Sequence, residues 1–276
     1  AEAITVSGTA TINSSSDISL TADAGLTLDY TQSDSPDSID ETVTATINVG
    51  GSMTTSGALT LAATTVVDLK LDSPVLTPGS NPNDIELDAE VTASVLIAGT
   101  ASVTAGSLAM SAEADTAVVA TAETAQPLKD RLDIEIDQKA LAGINGDATV
   151  TLTGDLSIEA TERLGVDARV TVDDAAVIDA YSTLPEYDTV RVDLGIDRTA
   201  RAWIGDETSA TLALQAAEVT VSATAADHAT AGGVRAAVES GLLGVAATEV
   251  RSADTQATVR NATLTLSSLA LAARHE

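Results

Sequence analysis

Four aspartates have the spacing to do chemistry together. They are Asp40, Asp88, Asp137 and Asp197, each behind an aliphatic residue in Ile39-Asp40, Leu87-Asp88, Ile136-Asp137 and Ile196-Asp197. If these positions are equivalent in a stack of strands, their carboxylates form a column about 5 Å apart. Like charges that close repel unless they face water, accept hydrogen bonds or share a cation. Calcium is the ion such a column would take, since it accepts about six to eight oxygens. Glu86, Asp133, Glu135 and Asp193 lie near enough in sequence to contribute. The alternative role for each Asp is to cap a turn through its own backbone. The acidic stretches Ser33–Asp40 and Asn81–Asp88 lack the ordered Gly and bidentate Glu of a defined calcium loop.

Other chemistry has less to work with. The two histidines are His228 and His275, and His228 has no Gly-flanked Ser beside it, so it reads as a surface or loop residue. There is no Cys, hence no disulfide and no thiolate metal site. Gly50-Gly51 and Gly232-Gly233 read as turns, because no phosphate-binding Lys follows them. A polysaccharide lyase or hydrolase would have to use Asp173-Asp174 with Arg191, Arg198 and Arg201. Such enzymes need aromatic platforms for sugar rings. Only Trp203, Tyr30, Tyr181 and Tyr187 are available, and Trp203 reads as a solvent-facing residue at a strand edge. No catalytic or cofactor-binding residue is assigned. Asn13-Ser14-Ser15 and Asn261-Ala262-Thr263 match the glycosylation triplet, as Ser- and Thr-rich chains do by chance.

The elements that position these residues repeat. An alternating segment recurs as Ile18–Ala22, Leu59–Ala63, Leu108–Ala112, Leu156–Ala160, Val219–Ala223 and Leu269–Ala273, at spacings of 41, 49, 48, 63 and 50 residues. Period-two alternation of Leu, Val and Ile with Thr and Ser is a strand pattern, and Gly99, Gly106, Gly146 and Gly154 mark bends. Length variation falls in polar loops at Ser33–Ser38, Ser73–Asn83, Ala125–Arg131 and Asp173–Asp188. Gly232–Ala247 admits a helical alternative that its glycines weaken.

A unit of about 50 residues cannot bury its apolar face alone, whereas stacked units share a continuous core. The expected fold is all-β: one right-handed parallel β-solenoid (β-helix) over residues 1–276, with about six coils. The repeats run approximately 1–38, 39–86, 87–135, 136–195, 196–248 and 249–276. A β-sandwich is the competing architecture, but it gives no reason for so long a period. The chain has 276 residues and no Phe, so an aliphatic, repetitive interior is expected. Against 41 Asp and Glu stand 13 Lys and Arg, a net charge of −28. Nucleic acid as a partner is therefore not expected, because phosphates need basic clusters. Membrane insertion is not expected either, since no apolar run reaches about 18 residues.

Ala148–Ala160 and Thr199–Asp206, with their strands, Gly turns and Ala, resemble the repeat regions of very large bacterial β-helical surface proteins, the filamentous-haemagglutinin-like adhesins. The loops here are longer and more acidic than simple tandem repeats require. The resemblance implies an extracellular, non-catalytic structural element at the cell surface: an adhesin stalk or a self-stacking filament subunit. Its partners would be copies of itself or adjoining repeats. The alternatives are a calcium-dependent module presenting Ser73–Asn83 and Asp173–Asp188 to a surface carbohydrate or protein, and the polysaccharide-cleaving enzyme.

Overall fold

Alternation is what the chain uses to build its walls. The structure, a computed structural model, describes residues 1–31, 38–76, 84–124, 131–172, 191–207, 209–228, 233–239 and 245–275. Strands are numbered in chain order, and each sheet takes every third one as far as β15. The first sheet runs β1 (Glu2–Val6), β4 (Ser38–Val49), β7 (Asp84–Ile97), β10 (Arg131–Ile144), β13 (Arg191–Ile204) and β17 (Val245–Val259). The second consists of four-residue strands: β2 (Thr11–Ser14), β5 (Ser52–Thr55), β8 (Ser102–Ala105), β11 (Thr149–Leu152), β14 (Leu212–Gln215) and β18 (Ala262–Thr265). The third runs β3 (Ile18–Thr31), β6 (Ala58–Leu76), β9 (Ser107–Thr124), β12 (Leu156–Val172), β15 (Glu218–Asp227) and β19 (Ser268–His275). A further strand, β16 (Val234–Glu239), pairs with the far half of β12. Among the described residues every strand pairing is parallel and none forms a helix. Stacking of this kind fits a parallel β-solenoid built of repeated strand triplets.

The six recurring segments lie side by side. Ile18 pairs with Leu59, Leu59 with Leu108, Leu108 with Leu156, Leu156 with Val219, and Val219 with Leu269. Their side chains point inward on one parity, so β12 alternates buried and partly exposed residues along its length. The first and third sheets face each other, with β10 packed on β9 and β12. Leu59, Leu61, Leu108, Met110, Leu132, Ile134 and Ile136 are fully buried between them. Each such side chain contributes about 1.5–3 kcal/mol on removal from water.

The corners are held by two devices. Gly99 and Gly146 adopt φ of +66° and +68° at stacked turns, and a Cβ on Gly146 would fall 2.7 Å from the Gly99 nitrogen. Asn261 takes the left-handed conformation at the corresponding turn, with φ of 46°, which Asn tolerates better than most residues. Aspartates also reach from one triplet to the next. Asp17 accepts the Ala58 N–H at 2.8 Å, Asp147 those of Thr211 and Ala210 at 2.9 and 3.2 Å, and Asp155 that of Glu218 at 3.2 Å. The N–H groups of Thr211 and Ala210 hold the Asp147 carboxyl below its ordinary value.

The helical alternative for Gly232–Ala247 is not what forms, because its described residues lie in β16, in the start of β17 and at the Gly233 bend. Strands also run into three segments read as loops, β4 from Ser38, β6 to Leu76 and β10 from Arg131. The remainder of those loops, and the whole of Asp173–Asp188 with its Asp173-Asp174 pair, lies outside the described residues.

Candidate functional sites

The outward parity of the first sheet carries the acidic residues. Asp40 sits beside Asp88, and Asp137 beside Asp197, as the repeat predicts. Between β7 and β10, however, Asp88 pairs with Glu135, and Asp137 with Glu90. The four aspartates therefore do not form one column; they form two pairs offset by two residues. A two-residue slip preserves which side chains face out, so the alternation alone did not reveal it. Burial pushes the Asp88 carboxyl above its ordinary value, and repulsion from Glu135, Asp40, Glu90 and Asp137 adds to this. Cations sit within the same face: the Lys139 ammonium is 2.5 Å from Asp137, and the Arg191 Nε is 2.6 Å from Asp193. Among the described residues no three His, Asp or Glu side chains are grouped to hold a metal ion.

A polar layer crosses the interior where sequence reasoning assigned none. Glu162 on β12 and Arg198 on β13 are buried on the inward parity, with the Arg198 Nε donating to both Glu162 oxygens at 2.9 and 3.0 Å. Arg198 Nη2 also donates to the Ala226 carbonyl at 2.7 Å. One strand below, the fully buried Gln138 donates to the carbonyls of Ala114 and Arg163 at 2.6 and 2.9 Å. Burial raises the Glu162 carboxyl more than the Arg198 guanidinium lowers it. Opposite this layer, β17 carries one extra residue between Val250 and Ser252. The signal was present in sequence: Gln138, Glu162 and Arg198 each interrupt a run of inward aliphatic positions.

Arg191, Arg198 and Arg201 do not converge. Arg198 points into the core, whereas Arg201 is on the outside and pairs with Asp254 on β17. His228 follows β15 and places its Nε2 3.3 Å from Asp115 on β9, beside a shallow cleft of about 240 Å³ that Val66 and Val119 also line. Burial raises the Asp115 carboxyl, and His228 opposes that shift. His275 and Asn13 are exposed, and Asn261 donates from its side chain to the Asp206 carbonyl at 2.9 Å.

Trp203 is partly exposed on the outward parity near the end of β13. It pairs across the ladder with Gly143 on β10, and a Cβ on that glycine would meet the indole at 2.1 Å from Cε2 and 2.4 Å from Cδ2. Those two atoms form the ring fusion, so the indole lies flat over Gly143. A cleft of about 420 Å³ opens here, lined also by Leu141, Arg201, Asp206, Glu207, Gln256 and Arg260. Sequence reasoning missed it because its parts come from three strands and a turn. No family model, curated protein or solved structure matches the chain.

Proposed function

We propose that the chain is a non-catalytic structural segment of an extracellular bacterial assembly, a cell-surface adhesin stalk or self-stacking filament subunit. In this reading it is a β-solenoid of about six coils with a repeat of about 50 residues. The carrying observation is the set of aliphatic columns that successive triplets share. Leu59, Leu108, Leu156 and Val219 form one buried column and Leu61, Met110, Ile158 and Val221 the next, each residue at most 1% exposed. A strand edge that continues such columns invites another strand. Adjoining repeats or a second copy of the chain would supply it. The acidic outer face meanwhile repels sideways association, leaving the axis as the direction of contact. The calcium-dependent adhesive reading is favoured by the crowding of carboxylates around Asp88.

Electron microscopy of the purified chain, with calcium and with a chelator, tests both. Filaments of constant width support a stacking subunit, and Leu269→Asp with Leu271→Asp should then shorten them. Isolated rods support a stalk segment. Particles without a rod shape in either condition would sink the structural reading, and filaments that vanish on chelation would assign calcium a role in assembly.

A further inference from the structure

We propose that the cleft over Trp203 binds a neutral pyranose residue of a polysaccharide, an activity independent of whether the chain stacks. One indole face rests on Gly143, and the ring lines the cleft. The platform depends on the pairing of the two residues, because any side chain at position 143 would occupy the place of the ring. A pyranose offers a face of C–H bonds that packs on such a ring, and a rim of hydroxyls that need polar partners. Gln256 and Arg260 supply donors, while Asp206 and Glu207 supply acceptors. Leu141 extends the apolar floor on the neighbouring strand. The volume of about 420 Å³ lies within the range of about 300–1,000 Å³ usual for small-ligand clefts.

Charge decides against an acidic sugar. Arg201 is already neutralised by Asp254, leaving Arg260 against Asp206 and Glu207 on a chain of net charge −28. A uronate would bring its carboxylate toward like charge, whereas a neutral ring avoids this cost. The cleft runs across β10, β13 and β17, on the outside of the stack, where a polymer can pass over it without threading.

Trp203 is the chain's one tryptophan, so its fluorescence reports this cleft alone. The intact chain is titrated with cellohexaose, maltohexaose, xylohexaose and chitohexaose, and with oligogalacturonate and choline as charged probes. The expected result is a saturable emission change with at least one neutral oligomer. The same oligomer, followed by calorimetry, should bind Trp203→Ala at least about tenfold more weakly, while Trp203→Phe keeps part of the affinity. Gly143→Ala removes no ligand contact but should weaken binding by displacing the ring; far-UV circular dichroism checks that each variant keeps its strands. Silence from all four neutral oligomers at millimolar concentration overturns the proposal. So does unchanged affinity in Trp203→Ala, or tighter binding of oligogalacturonate or choline than of any neutral oligomer.

Discussion

The interior contains two kinds of order, and they tolerate change differently. In the column Ile18, Leu59, Leu108, Leu156, Val219 and Leu269, every strand contributes an interchangeable aliphatic residue. In the layer of Gln138, Glu162 and Arg198, each side chain has partners that no neighbouring strand duplicates. The strand positions flanking them carry apolar residues, Val91 beside Gln138 and Ala114 and Ala225 on either side of Glu162. An aliphatic column is held by volume and parity, which many sequences satisfy. A buried ion pair is held by geometry, and it marks one level of the stack as different from the rest.

The comparison breaks most sharply at Arg198. Arg198→Ala strands the Glu162 carboxyl in the core and should cost about 3–5 kcal/mol, read as a lower urea midpoint. A loss of under about 1 kcal/mol would mean the layer carries no special weight. Leu108→Ala, in the aliphatic column, should cost about 2–5 kcal/mol through its cavity. Conservative replacements separate the two regions further. Leu108→Met should stay below about 1.5 kcal/mol, since volume is kept. Arg198→Lys should cost more than Leu108→Met, because an ammonium cannot span both Glu162 oxygens and the Ala226 carbonyl.

The pH dependence sharpens the comparison at smaller scale. Because burial raises the Glu162 carboxyl above its ordinary 4.5, the folded chain keeps a proton that the unfolded chain releases. Its contribution to stability is fully present below pH 4.5 and declines as pH rises through the interval up to the raised value. Replacing the pair together, Glu162→Leu with Arg198→Met, should flatten that interval in a series of urea titrations. An unchanged slope would place the titration elsewhere. The least effect is expected outside the core. Asp88→Asn relieves repulsion from Glu135, Asp40, Glu90 and Asp137, and should stabilise at pH 7 by about 0.5 kcal/mol or less. That gain should disappear below the ordinary 3.8, where Asp88 is protonated in both states, and should shrink in high salt.

What could be read from sequence followed from parity and repetition. The Leu and Ile anchors gave the pairing of the third sheet, because each is flanked by turns that leave one register that buries them. The aspartate anchors misled between β7 and β10, where acids at every second position, Glu86, Asp88 and Glu90 against Asp133, Glu135 and Asp137, fit equally well after a slip of two. The polar layer was legible only as interruptions: whether a polar residue on the inward parity is satisfied depends on strands far away in sequence. Arg198 is the clearest case, grouped in sequence with Arg201 yet on the opposite face of the same strand. The Trp203 cleft depended on a glycine some 60 residues earlier becoming the ring's neighbour, a match visible only once β10 and β13 are aligned.

The parallel ladders also set how the molecule yields to a load. Tension applied between the two ends of the stack pulls along the inter-strand hydrogen bonds and opens the terminal strands first, a few bonds at a time. The chain should therefore peel, triplet by triplet, at modest and repeated force, with each released length of polypeptide absorbing work. The inserted aspartates that bond ahead to the next triplet, Asp17, Asp147 and Asp155, would act as catches at the corners, and the level braced by Arg198 would be the last to let go.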